Sequence, residues 1–200
     1  MQLIFASNNS HKLDEVRRIL APLLVLSLRE IGFKGEIDET GTTLEENSRI
    51  KAQTVVDWLH DQRLTTNNQR PVLVFADDTG LEIEALGGEP GVYTARWAGE
   101  PACDANNRRK ALAELAGKDN RRARFRTVVT VIGAGFNTQV EGEVRGTMDT
   151  KEKGDKGFGY DPLFIPEGYD KTFAELPAEI KNSISHRARA MEKLKKLLLG

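Results

Sequence analysis

The stretch that most constrains this chain is Val72-Leu73-Val74-Phe75-Ala76, which runs without a break into Asp77-Asp78-Thr79-Gly80. A short continuous apolar run bounded by polar turn-formers reads as a strand buried on both faces. In an open α/β sheet such a strand delivers the next residues of the chain to the sheet's end, where ligands are handled. Asp77 and Asp78 are therefore expected just beyond the strand. There they could handle a metal or a phosphate, or simply cap a turn, because Asp readily bonds its own backbone in turns. The stretch alone does not separate these readings.

The chain has 200 residues, enough for a sizeable core in one domain spanning residues 1–200. The net charge of −1 argues against a nucleic-acid or membrane-surface binder, since so balanced a field steers neither. Any anion site has to be a local cluster of basic groups. Cys103 is the one cysteine, which excludes an intrachain disulfide and favours a reducing compartment; with no base near it in sequence, it is read as incidental. The N-terminus lacks the charged-then-apolar layout of a signal peptide. No apolar run nears the roughly 20 residues of a membrane span. A cytoplasmic location is the resulting expectation.

Leu3-Ile4-Phe5-Ala6 reads as a buried strand, followed by the polar turn Ser7-Asn8-Asn9-Ser10-His11-Lys12 and a helix with Leu13, Val16, Ile19 and Leu20 on one face. A strand–turn–helix unit presents free N–H groups and a positive dipole end to an anion. Asn9 or Ser10 can cap this helix. Lys12 is out of place in a first turn unless an anion sits there. A second strand is expected near Leu24–Leu28, and Glu36, Asp38 and Glu39 in the next loop are potential metal ligands. Thr43-Leu44-Glu45-Glu46 is a capping box opening a helix to about Gln62. On it Asn47, Lys51 and Thr54 share a polar face that is either solvated or lines a site. Leu64–Arg70 reads as a polar loop.

After Gly80, Leu81–Leu86 alternates as a half-exposed strand should. A helix is expected over Asp104–Leu115, and two strands over Arg124–Ile132 and Thr138–Val144, joined as a hairpin through Gly133–Asn137. The Gly133/Gly135 pair lacks the third glycine and following helix of a dinucleotide loop. Phe158-Gly159-Tyr160-Asp161 sets glycine beside aromatics, so a flat ring can approach the backbone, with Phe158 and Tyr160 to stack on a base and Asp161 to orient it. Near the C-terminus Ser185 is the expected N-cap of a long helix, and His186 and Arg187 repeat the oddity of Lys12. Two such placements in one chain point to phosphate.

These parts specify phosphates, a planar base and a divalent cation. No P-loop ending in Gly-Lys-Ser/Thr is present. Paired carboxylates imply Mg²⁺, a hard cation that prefers oxygen ligands and substrate phosphates. The residues by themselves read as a metal-dependent enzyme acting on a small nucleotide.

Five motifs also occur together, in order: Ser7-Asn8-Asn9 through Lys12, Ala76-Asp77-Asp78-Thr79-Gly80-Leu81, Gly87-Gly88-Glu89-Pro90-Gly91, Phe158-Gly159-Tyr160-Asp161-Pro162 and Ser185-His186-Arg187. In these the chain resembles the inosine triphosphate pyrophosphatase family, in its bacterial dITP/XTP-hydrolysing form, over nearly its whole length. The resemblance implies an α/β fold, with a mixed central sheet flanked by helices, two lobes with the active-site cleft between them, and a homodimer. It implies cleavage of deaminated purine triphosphates (ITP, dITP, XTP) to a monophosphate and pyrophosphate, clearing them from the nucleotide pool. Carried over residue by residue, Ser7, Asn8, Asn9, Ser10, His11 and Lys12 would hold the triphosphate. Asp78 would be the catalytic metal ligand and Glu39 the second. Thr79, where the family more often has Ser, would touch substrate. Phe158, Gly159, Tyr160 and Asp161 would hold the base, with Lys181, His186 and Arg187 closing around base and phosphates.

Discrimination would rest on the 6-oxo acceptor that hypoxanthine and xanthine carry where adenine has an amino donor. The competing readings are a pyrophosphatase for pyrimidine or other modified nucleotides, including dUTP, and a non-catalytic nucleotide sensor.

Overall fold

The elements follow from where the apolar residues fall. In the computed structural model, which describes residues 2–62 and 71–199, the chain runs β1 (Gln2–Phe5), α1 (Ser10–Leu20), β2 (Val25–Ser27), α2 (Leu44–Asp61), β3 (Val72–Ile83), a 3₁₀ turn (Glu84–Leu86), β4 (Pro90–Gly91), α3 (Asp104–Glu114), β5 (Arg122–Gly133), β6 (Phe136–Met148), β7 (Phe164–Pro166), α4 (Ala178–Ile184) and α5 (His186–Leu199). The Leu64–Arg70 segment lies outside the described residues. The strands form one mixed sheet in the order β2-β1-β3-β5-β6-β7, with β4 pairing β3. β1 pairs parallel to both β2 and β3, each reached through a helical crossover, as parallel pairing requires. The expected α/β class with a mixed sheet and flanking helices is therefore what the chain adopts.

The chain divides into two compact units, the first made of Met1–Asp78, Thr127–Gly142 and Arg187–Gly200. Its sheet is buried on both faces, and strand alternation sorts its residues. Leu3, Phe5, Leu73 and Phe75 pack with Val16 and Leu20 of α1 and with Ala190, Met191 and Leu194 of α5. Ile4, Ala6, Val74 and Ala76 pack with Ala52, Val55 and Leu59 of α2. Each fully buried leucine or phenylalanine contributes roughly 1.5–3 kcal/mol. The start of α2 is set by the expected capping box, Thr43 Oγ1 accepting from Glu46 N–H at 3.1 Å and Glu46 Oε2 accepting from Thr43 N–H at 3.2 Å.

The second unit, Thr79–Arg126 with Glu143–His186, has its own core of Leu81, Ile83, Phe125, Phe164 and Phe173 with Ala111 and Leu115 at the end of α3. Asn107 anchors α3, accepting from the Ala98 N–H and donating to the Ala95 carbonyl, both at 2.8 Å.

Three expectations need correction. β3 does not stop before the aspartates but runs 12 residues, through them to Ile83. The half-exposed strand expected over Leu81–Leu86 is thus the end of β3 followed by the 3₁₀ turn. The long C-terminal helix is preceded by a short one, α4, which packs Ile180 and Ile184 on the second core; Ser185, in extended conformation, closes α4 and directly precedes α5, the position expected of it. No described helix is long and apolar enough to cross a membrane.

Candidate active site

Because β3 continues through the aspartates, their side chains leave opposite faces of the sheet. Asp77 extends the row of Leu73 and Phe75 beneath α1 and α5. Lys12 Nζ donates to its Oδ1 at 3.0 Å, and Arg187 Nε donates to its Oδ2 at 3.0 Å. Arg187 also pairs with Glu15. Asp77 and Arg187 are each only 1% exposed. Burial alone would push the Asp77 carboxyl up, but Lys12 and Arg187, with Lys51 behind them, hold it well below the usual carboxylate range. The two cations that looked misplaced at helix starts thus converge on one carboxylate. Burial lowers the Lys12 ammonium in spite of Asp77, while Asp77 and Glu15 overcome burial to raise Arg187.

Asp78 extends the other row, under α2. Lys51 Nζ donates to Asp78 Oδ1 at 2.7 Å and to Glu39 Oε1 at 3.0 Å. Asp78 Oδ2 is buried and has no hydrogen-bond partner among the described residues. Burial pushes the Asp78 carboxyl up against the pull of Lys51 and Lys12. For Lys51 burial works downward, but Asp78 and then Glu39 raise it overall. One turn earlier on α2, Asn47 Oδ1 accepts from Gly41 N–H at 2.8 Å and so ties down the loop that carries Glu39. Two carboxylates on one ammonium, one of them with an idle buried oxygen, suit a cation that binds through one or two carboxylates plus substrate oxygens. Among the described residues no group of three or more His, Cys, Asp or Glu gathers as a self-sufficient metal cage. Asp77, saturated by its cations, does not suit the role. Glu36 and Asp38 are exposed, and Glu39 is the acid of this loop that reaches Lys51.

The polar turn lies between β1 and α1, with Asn8 to His11 exposed. Ser7 Oγ accepts from the Asn9 N–H at 3.2 Å and Asn9 Oδ1 accepts from the Lys12 N–H at 3.1 Å, making Asn9 the N-cap of α1.

In the second unit, Lys181 Nζ donates to Asp161 Oδ2 at 2.6 Å and lies 4.8 Å from the centroid of the Phe158 ring. Asp161 Oδ2 also accepts from the Phe158 N–H at 2.8 Å. The loop is closed so tightly that a Cβ on Gly157 would stand 2.1 Å from Asp161 Oδ2, which makes glycine obligatory there. Tyr160 is buried and donates its hydroxyl to the Thr94 carbonyl at 3.1 Å, so its ring serves the core. Burial, with Asp104 adding to it, raises the phenol pKa. His186 is buried and stacks on Phe125 with ring centroids 4.7 Å apart.

The structure thus assembles three groups: Lys12, Asp77, Arg187 and Glu15; Glu39, Lys51 and Asp78; and Phe158, Asp161 and Lys181. Thr79 follows Asp78 in β3 and is half-buried. Lys51 was legible only as one member of a polar helix stripe, and Glu15 had no signal beyond its charge. A cavity of about 930 Å³ in the second unit is lined by Glu82, Arg124, Arg145 and Tyr169 among others. None of the residues of these groups lines it, and Arg124 there is spent on Glu82 and Glu143.

Known proteins resemble this chain along nearly its whole length. The Ham1 family model matches residues 3–197. The dITP/XTP pyrophosphatase of Bacillus subtilis is 47% identical over 202 residues, covering 98% of this chain and 96% of that protein. The protein of that name from Flavobacterium johnsoniae is 44% identical, covering 99% and 98%. Among solved structures, the Ham1 protein of Staphylococcus aureus superposes with a TM-score of 0.84 at 36% identity, covering 100% of this chain and 99% of its own.

Proposed function

From the premise that this chain belongs to the Ham1 family, we propose that it is a Mg²⁺-dependent pyrophosphohydrolase of non-standard purine nucleoside triphosphates. Its substrates would be ITP, dITP and XTP, and its role the clearing of these from the nucleotide pool. The bond cleaved is that between the α- and β-phosphates: water adds to phosphorus, and a nucleoside monophosphate and pyrophosphate leave. The observation that carries this reading is the idle, buried Asp78 Oδ2 beside an ammonium shared with Glu39.

In this proposal Ser7–Lys12 hold the triphosphate, through the side chains of Asn9 and Lys12 and the N–H groups at the start of α1. Asp78 and Glu39 would hold Mg²⁺, which when bound neutralises phosphate charge and activates water. Asp78 Oδ2 orients the attacking water, since a carboxylate spent on a cation is a weak base. Lys51 holds the two acids on one shared ammonium, and Asp77 keeps Lys12 and Arg187 in register. Thr79 touches the substrate next to Asp78. Phe158, Gly159 and Asp161 take the base, with Tyr160 bracing the loop from the core rather than stacking, while Lys181 and His186 present donors to a 6-oxo group. Adenine's amino group would leave such donors unsatisfied, at about 1–3 kcal/mol for each buried group.

The test is pyrophosphate release from ITP, dITP, XTP, ATP, GTP, dUTP and TTP, with and without Mg²⁺. The expected result is Mg²⁺-dependent release with kcat/KM highest for the deaminated purines. Preference for dUTP or TTP, or tight ITP binding without turnover, would replace this reading with a pyrimidine enzyme or a sensor.

A further inference from the structure

The start of α3 grips one residue of the Phe158–Asp161 loop from both ends. Asp104 Oδ2 accepts the Gly159 N–H at 2.7 Å. Four residues along the same helix face, Arg108 Nη1 donates to the Gly159 carbonyl at 3.0 Å. The Arg108 guanidinium is itself held, its Nε facing Glu152 at 2.9 Å. Gly159 sits at φ 61° and carries no side chain that could fix its backbone by packing. The orientation of that backbone is therefore set from α3. The helix is a rigid base for the task, because Asn107, buried between Asp104 and Arg108 in sequence, is bonded to two backbone groups of the Ala95–Ala98 segment. Phe158, whose N–H is fixed on Asp161 and whose ring faces Lys181, directly precedes the gripped residue.

We propose that Asp104 and Arg108 are positioning residues for base selection: by clamping Gly159 they set the Phe158 ring and the Asp161–Lys181 pair to the purine. The proposal rests on the base-binding role given to this loop above. Both residues act through the Gly159 backbone, so the clamp's signature lies in KM and selectivity rather than kcat.

Three variants test it: Asp104→Ala, Asp104→Asn and Arg108→Met. Asp104→Ala and Arg108→Met should raise KM for ITP about tenfold, as loss of one charge-assisted hydrogen bond would, and lower the ITP-to-ATP preference in step. Under the clamp, kcat and the inhibition constant of inorganic triphosphate, which has no base, stay at wild-type values. Asp104→Asn should behave as wild type, because its amide oxygen accepts the same N–H, although it loses the same negative charge from the first turn of α3. The clamp is overturned if Asp104→Ala keeps the wild-type KM, if Asp104→Asn is as impaired as Asp104→Ala, or if triphosphate weakens in proportion to ITP. Hydrogen exchange at the Gly159 amide, read without nucleotide, separates this from the function proposed above. If the wild type releases no pyrophosphate from ITP, that function falls, and exchange still decides the clamp. Faster exchange in Asp104→Ala than in Asp104→Asn supports it, and equal rates overturn it.

Discussion

Asp77 and Asp78 are neighbours in sequence and have opposite fates. Asp77 points beneath α1 and α5, where two cations take both its oxygens. Asp78 points beneath α2, where one ammonium takes one oxygen and the other stays idle. The first is a closed ion cluster, which holds its surroundings in place. The second is open, with capacity left for a ligand. Pleating alone makes the difference, because adjacent residues of a strand face different helices. An adjacent carboxylate pair on a strand buried on both faces is thus not one site with two ligands. It is two groups with separate partners, back to back, and of the two aspartates Asp78 keeps the idle oxygen that the proposed cation would take.

Asp77→Asn tests the closed side of the strand most severely. It leaves Lys12 and Arg187 buried against a neutral amide, with Glu15 still paired to Arg187. Removing one partner of a buried ion pair costs about 3–5 kcal/mol, so urea unfolding should show a loss of that order. The acid limb provides a second readout. The wild-type carboxyl is depressed by its cations, so its stabilisation is present in full above the ordinary carboxylate range and is lost as pH falls through that range toward the depressed value. Asp77→Asn should lack that part of the acid dependence. A variant within ~1 kcal/mol of wild type would show that the cluster is not structural.

Asp78→Asn is expected to reverse the pattern. Burial already disfavours the charge on Asp78, and Lys51 keeps Glu39 as a partner, so stability should fall by less than it does in Asp77→Asn. Pyrophosphate release should fall by about 10³-fold, the several kcal/mol that charge neutralisation at the phosphate supplies. Isothermal titration with Mg²⁺ would show whether the loss is one of cation binding. Wild-type turnover in this variant would end the functional assignment of Asp78.

The apolar half of this arrangement was legible in the sequence, since Val72–Ala76 could only be a buried strand. The strand's true end was not. Asp and Gly are poor strand residues, so Asp77–Gly80 read as a stop, whereas in the strand both aspartates are paired with cations from far along the chain. Lys12 lies 65 residues from Asp77, and Arg187 lies 110 away. Local pattern could show that those cations lacked an anion but not that a distant side chain, Asp77, already pairs with both. Lys51 stood out on its polar helix face, but its partner was hidden for the same reason, 27 residues away at Asp78, as was the Asp104–Gly159 contact across 55. The short α4, seven residues behind Pro177, has too little length to carry a helical period. The motifs that hold their own geometry locally, such as the Thr43–Glu46 box and the Asn9 cap, were read correctly from sequence.

The smallest expected effect concerns how the closed cluster divides its work. Glu15 contributes to Arg187 from α1, while Asp77 takes the Nε from β3. Glu15→Gln keeps an acceptor of the same shape and removes one charge, and Arg187 retains the buried Asp77. Its cost should therefore be close to that of a partly exposed pair, about 1 kcal/mol, with pyrophosphate release and KM for ITP unchanged. A loss comparable with that of Asp77→Asn would move the centre of the cluster from β3 to α1 and make Asp77 the accessory. A raised KM without lost stability would mean that the Glu15–Arg187 pair reaches the phosphates, opening the face that the ion pairs close.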